Sequence, residues 1–295
     1  AFGTIVFAAV ALGFAVKVPV WPLHTWLPDA HTEAPTVGSV LLAGILLKMG
    51  TYGFVRIALP ILPEAARTWA PVIGVLGAIA IIYGALCCLA QRDVKRLIAY
   101  SSVGHMGFVM LGIATLTPTG INAAVFGMVA HGVITGMLFF LAGSMHERYH
   151  TRDIAELGGG MATLMPRLAG VFTLACIASL GLPGLAGFWG EILALLAAWN
   201  PAAGLSVPLF RTLAAVGLLG TLLTAGYFLW LIQRVNLGRV PDRWGGGRTL
   251  GDLAPIEVAA WSPLIVLIVA LGFAPGLVLW LTSPSVTGWF TDLFA

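Results

Sequence analysis

Ala34-Pro-Thr-Val-Gly-Ser-Val-Leu-Leu-Ala-Gly-Ile-Leu-Leu-Lys48-Met-Gly-Thr-Tyr-Gly-Phe-Val-Arg-Ile-Ala58 is almost wholly apolar, yet it carries a lysine near its middle. A bilayer core takes about 20 consecutive apolar residues in helical form, so the stretch predicts a transmembrane span. A lysine facing lipid at that depth costs roughly 2.5–3.5 kcal/mol, so Lys48 is expected to face a partner or water. Helical spacing puts Gly44, Thr51 and Tyr52 on its face.

The rest of the chain repeats the pattern. Hydrophobic residues make up 59% of the sequence and charged ones 9%, and the mean hydropathy is +0.97. Water is therefore not the main solvent, and an ordinary soluble domain is excluded. Spans are predicted at 1–27, 34–58, 69–90, 94–115, 120–145, 166–199, 207–232 and 255–281. This is an all-α integral membrane protein of about eight transmembrane helices. The segment 284–295 is too short to cross, and with Trp289, Phe290, Leu293 and Phe294 it reads as interfacial. The first residues are already a helix in progress, with neither a basic n-region nor a cleavage site; this is no signal peptide, and further helices are expected upstream.

The net charge of +3 does not indicate nucleic acid, because the basic residues are not gathered with aromatics on one polar face. Cys87, Cys88 and Cys176 sit in apolar runs without metal-ligand or disulfide spacing and read as small buried hydrophobes. The loops after spans three, five and seven hold Arg92, Lys95, Arg96, Arg148, Arg152, Arg167, Arg234, Arg239, Arg243 and Arg248. The opposite loops hold Arg56, Arg67 and Arg211. The positive-inside rule puts the larger group on the cytoplasmic side and the C-terminal tail outside.

Of the 15 basic residues, this partition leaves Lys17 and Lys48 within spans. Arginine holds its proton at any useful pH, whereas a desolvated lysine can release it, which is what a proton path requires. Glu191 is the one acidic residue well inside an apolar segment; the competing reading is a carboxylate that merely ties two helices together. For Lys17 the competing reading is snorkelling. His105 and His131 lie mid-span with Ser101 and Thr135 one turn away, and imidazole can accept and donate a proton near neutral pH. His24, His31, His146 and His150 fall near helix ends or in loops, where solvated or structural roles are expected.

Lys17-Val-Pro-Val-Trp-Pro interrupts the first span and Gly181-Leu-Pro-Gly the sixth. Proline frees carbonyls from the helix ladder, and at membrane depth these are tolerated only where protein or water satisfies them. A packing kink is the alternative for either proline alone. Gly132 and Gly136, in G-x-x-x-G spacing, allow close helix contact.

The runs Lys17-Val-Pro-Val-Trp-Pro-Leu-His-Thr-Trp-Leu-Pro-Asp-Ala-His-Thr-Glu-Ala-Pro-Thr, Gln91-Arg-Asp-Val-Lys-Arg-Leu-Ile-Ala-Tyr-Ser-Ser-Val-Gly-His105 and Gly181-Leu-Pro-Gly-Leu-Ala-Gly-Phe-Trp-Gly-Glu191 resemble the antiporter-like subunits of bacterial NADH–quinone oxidoreductase, respiratory complex I. Within that family Glu191 resembles the M branch, since the sister subunits carry lysine at the matching place. The resemblance implies a fourteen-helix fold with two inverted repeats, of which this chain resembles helix seven onward. It then implies that residues 1–58 end the first repeat, 59–232 form the second with its broken helix 166–199, and 233–295 hold a C-terminal helix and interfacial tail.

Carried over by position, Lys17, Lys48, His105, His131 and Glu191 match the family's proton relay. The family pairs the lysine matching Lys17 with a glutamate on an earlier helix that this sequence does not contain. The resemblance further implies proton translocation driven by redox chemistry elsewhere. FMN, iron–sulfur clusters and quinone are expected in other subunits, with no cofactor or metal in this chain. Implied partners are the sister subunits L and N in a bacterial inner membrane, with no nucleic acid. The rivals are a subunit of a multisubunit Na+/H+ antiporter or membrane-bound hydrogenase, and a passive membrane scaffold.

Overall fold

The structure is a computed structural model, described here for residues 2–245 and 250–294. Arg248 and the side chain of Phe294 lie outside the described residues. Eleven helices set the architecture among these residues: α1 (Phe2–Lys17), α2 (Trp26–Glu33), α3 (Thr36–Ile61), α4 (Pro63–Leu89), α5 (Val94–Ala114), α6 (Pro118–Tyr149), α7 (Pro166–Ser179), α8 (Ala186–Trp199), α9 (Val207–Val235), α10 (Pro255–Phe273) and α11 (Gly276–Phe294). Helices α3, α4, α5, α6, α9 and α10 are each long and apolar enough to cross a membrane. The pair α7/α8 is the interrupted sixth span, and α1 stops at Lys17 where the prolines predict a break, but α2 then runs from Trp26 to Glu33, past the expected end of the first span at 27.

The starts of the central helices follow from local chemistry. The Asp93 carboxylate accepts from Arg96 N–H at the head of α5, and Thr117 Oγ1 accepts from Gly120 N–H before α6, where Pro118 takes a position that needs no donor. Helix α6 is the hub, packed against α3, α5, α7, α8, α10 and α11. In α5, 83% of the membrane-length window is buried inside the protein, so this helix has no broad lipid-facing stripe. The interior of the bundle is thus where α5 and α6 hold their histidines.

Two expectations are corrected. The eighth span ends at Phe273 rather than 281, because Pro275 drives Ala274 out of helical geometry (φ −128°, ψ 66°). Pro284, expected to open a short tail, instead lies inside the 19-residue helix α11. That helix buries Val286 and Phe290, and its Thr282 hydroxyl donates to Asn122 Oδ1 at 3.1 Å near the start of α6.

At the arginine-rich end, Arg148 of α6 pins the chain before α10. Its guanidinium donates to Glu257 Oε2 at 2.6 Å and Oε1 at 3.0 Å, to the carbonyls of Gly251 and Asp252, and to the Ser144 hydroxyl. Arg148→Ala is expected to destabilise the protein by about 3 kcal/mol, since Glu257 would be left shielded and unpaired. Thermal unfolding in detergent measures this, and Arg148→Lys should not restore it because an ammonium cannot span the same acceptors. Nearby, burial opposes ionisation of Asp252, but N–H groups of Arg167, Leu168 and Leu253 outweigh it and hold the carboxyl below its ordinary range while capping α7.

Candidate functional site

Helix α3 does not keep one regular turn along its length. Residues Leu42–Leu46 and Phe54–Ala58 form π-helical turns on either side of Lys48. The widened first turn lets Lys48 Nζ donate back to the Ala43 carbonyl. Between these turns the helix is regular over Leu47–Gly53, so Thr51 and Tyr52 both follow Lys48 by one turn, but Thr51 is buried while Tyr52 is 56% exposed.

Lys48 Nζ lies 2.6 Å from His131 Nδ1 on α6. One proton can sit on either nitrogen of that contact, as ammonium donating to imidazole or as amine accepting from imidazolium. The approach depends on Gly132, where a Cβ would come within 2.9 Å of the Gly44 carbonyl and 3.8 Å of Lys48 Cε. Gly132→Ala is therefore expected to push α6 from α3 and lengthen the Lys48–His131 contact. A severalfold fall in proton flux, with the protein still folded, is the expected outcome, and unchanged flux would show that the spacing is not limiting.

From His131 the line continues inward. Its ring stands edge-on to that of His105, with centroids 5.6 Å apart. His105 Nδ1 is 2.9 Å from Glu191 Oε1 on α8, and its Nε2 is 3.0 Å from the Ser179 hydroxyl. Ser179 and Glu191 belong to opposite halves of the broken span, so the break at 180–185 delivers both to one imidazole. Gly181 within the break has φ +82°, and a Cβ there would approach Glu191 Oε2 to 3.3 Å. A cavity of about 30 Å³, enough for roughly two waters, is lined by His105, His131, Thr135, Ser179 and Glu191. His131 Nε2, Thr135 Oγ1 and Glu191 Oε2 are buried there without a protein hydrogen-bond partner, and such atoms call for solvent.

Four of the five sequence-selected residues thus form one line, Lys48–His131–His105–Glu191. Lys17 does not join it. It ends α1 half-buried, with no hydrogen bond or ion pair among the described residues. The hydroxyl expected beside His105 is also different: Ser101 donates to its own helix at the Ile98 carbonyl, and Ser179 takes the role.

Sequence reading did not place four further polar groups in the interior. Ser179 precedes the Gly-Leu-Pro-Gly break, but nothing in the chain announces a partner 74 residues away. His31, expected to be solvated or structural, is fully buried and stacked on Phe139 with centroids 4.3 Å apart. Lys95, assigned to a loop, is 5% exposed at the first turn of α5 and donates to the Ala34 carbonyl at 2.5 Å. His24 is likewise buried, edge-on to Tyr83, whereas His146 and His150 are exposed. The signal available for Lys95 was its place two residues after the capping aspartate, which puts it on a helix that has almost no outer face.

The site thus gathers, inside a many-helix membrane protein, buried groups that can each gain or lose a proton and stand within contact or one water of the next. Residues 3–217 match the family described as NADH:quinone oxidoreductase/Mrp antiporter, TM, and the chain belongs to that family. NADH-quinone oxidoreductase subunit M of Rhodobacter capsulatus is 45% identical over 283 residues, which is 96% of this chain and 53% of that protein. A chain of respiratory complex I from Thermus thermophilus is 34% identical, with a TM-score of 0.88 over 99% of this chain and 59% of that one. A chain of the Mrp complex from Dietzia sp. is 22% identical with a TM-score of 0.84, covering 99% of this chain and 61% of that one, and at that identity it shows the fold alone. The chain spans about half the length of the curated relatives it matches.

Proposed function

We propose that this chain translocates protons across the bilayer as part of the M-type membrane subunit of an NADH–quinone oxidoreductase. The observation that carries the reading is the line Lys48–His131–His105–Glu191, whose members adjoin one another through direct contacts and a small polar cavity. The 45% identity to proteins named subunit M supports the redox-driven complex over the antiporter and hydrogenase alternatives.

A proton arriving at Lys48 passes to His131 over the 2.6 Å contact. Water in the cavity carries it past the two imidazoles, and the Glu191 carboxylate receives it through His105 Nδ1. Like charges in so short a line repel, so a charge change at one end is felt at the other. Lys17, near the other break, is the proposed entry, with the arginine-rich face cytoplasmic, the C-terminal tail outside and the whole in a bacterial inner membrane. Sister subunits L and N are the proposed neighbours. FMN, iron–sulfur clusters and quinone belong in this reading to other subunits, which supply the energy.

The test is proton flux in the assembled complex, reconstituted in sealed vesicles, with either end of the line neutralised as Lys48→Met or Glu191→Gln. Collapse of flux with the complex intact is expected. Undiminished flux in both variants would overturn the proposal.

A further inference from the structure

At the arginine-rich end of the bundle, away from the relay, a cavity of about 980 Å³ opens between the ends of α4 and α9 and the loop after α6. Its polar lining includes Arg92, Arg234 and Arg239, and its apolar lining includes Leu89, Trp230 and Leu237. The walls are tied together by backbone bonds. Ile154 N–H donates to the Arg92 carbonyl at 2.7 Å, Gly160 N–H to Leu237 at 3.3 Å and Ala162 N–H to Asn236 at 3.1 Å. The concavity is therefore part of the fold and not a gap between loose loops.

The charge inside it is unbalanced. Arg96, Arg148, Arg152 and Arg243 each pair with a carboxylate, but among the described residues Arg92, Arg234 and Arg239 do not. Arg234 instead lies over the Trp230 ring at 5.8 Å. The one carboxylate in the lining, Asp153, has Oδ1 already engaged by the N–H groups of Ala155 and Glu156. Leu86 of α4 and Leu222 and Leu229 of α9 are exposed, so apolar surface runs along both helices toward the arginines.

We propose that this cavity binds the phosphodiester headgroup of an anionic phospholipid, with the arginines on the phosphate and the acyl chains lying over the leucines. Guanidinium forks match phosphate oxygens in pairs, and a basic pocket at the end of membrane helices suits such a headgroup. Trp230, in the last turns of α9, is the kind of amphipathic ring that membrane interfaces favour. A free inorganic anion would use the arginines but leave Leu89, Trp230 and Leu237 without a purpose. The lipid headgroup uses both halves of the lining. This site is independent of the proton relay and stands or falls separately from it.

The experiment is native mass spectrometry of the assembled complex titrated with phosphatidylglycerol, phosphatidylcholine or inorganic phosphate. The variant is the triple substitution Arg92→Gln, Arg234→Gln, Arg239→Gln. Wild type is expected to prefer phosphatidylglycerol, and losing three near-surface charges should weaken that binding on the order of a hundredfold. The corresponding triple lysine variant keeps the charge but loses the paired guanidinium contacts, so its binding should fall between the two. Should the triple glutamine variant fail to assemble, Arg239→Gln alone, on an exposed residue, is expected to lose severalfold. Equal binding by wild type and variants, displacement of the lipid by phosphate at equal concentration, or cross-links from these arginines to an acidic segment of a neighbouring subunit would each overturn the proposal.

Discussion

Lys48→Met is expected to abolish proton flux while leaving the protein at least as easy to insert into the membrane as the native chain. Methionine matches the stem of lysine in length but carries no transferable proton, so the 2.6 Å contact with His131 Nδ1 can pass none. Loss of a positioned proton-transfer group costs on the order of a hundredfold or more in the step it serves. The opposite sign applies to insertion. An intramembrane lysine is unfavourable by roughly 2.5–3.5 kcal/mol before its partners are counted, and removing it takes that cost away. Its bonds to Ala43 and His131 offset part of the cost, so the gain should be smaller than the full figure. Lost transport together with unchanged or raised thermal stability is the signature of a group kept for chemistry. Should Lys48→Met unfold the protein, the lysine would be a packing element, and the passive scaffold reading would gain.

Glu191→Gln is expected to have a comparably large effect for a different reason. The amide fits the same space, and its oxygen can still accept from His105 Nδ1 at 2.9 Å, so α5 and α8 should remain docked. What vanishes is the carboxyl that can take up and release a proton at the end of the line, and with it the negative charge beside His105. Flux should fall on the order of a hundredfold, with assembly intact. Glu191→Asp separates geometry from charge: it keeps the carboxyl but withdraws it by one methylene, so the His105 contact lengthens and flux should fall less. If glutamine were tolerated and aspartate were not, Glu191 would be a helix tie, as its competing reading supposes.

These expectations differ in how much of them is legible along the chain. Lys48 stands out because one charge in an apolar run has no cheap explanation, and Glu191 for the same reason. The breaks at 18–25 and 180–185 are equally plain, since proline removes donors wherever it occurs. Ser179, His31 and Lys95 are not legible. Each sits beside polar or helix-ending residues that look solvated in one dimension, and only the fold of α2 and α7 beneath the central helices buries them. Lys17 shows the reverse: it is as conspicuous as Lys48 in the sequence but ends without a partner among the described residues. In the tail, Pro284 looks like a terminator yet lies inside α11, whereas Pro275 acts as one through its effect on Ala274.

Sequence by itself determined that this chain lives in a bilayer, where its spans break, and which ionisable groups are sunk to membrane depth. Those follow from transfer energies and backbone donors, which are properties of residues and short segments. Tertiary structure alone decided that four of those groups form a line and the fifth does not, and that Ser179 stands beside His105. The reason is that contacts such as Lys48–His131 and His105–Glu191 join residues 83 and 86 positions apart. Their distances are set by how closely α3, α5, α6 and α8 can pack, down to the missing Cβ of Gly132.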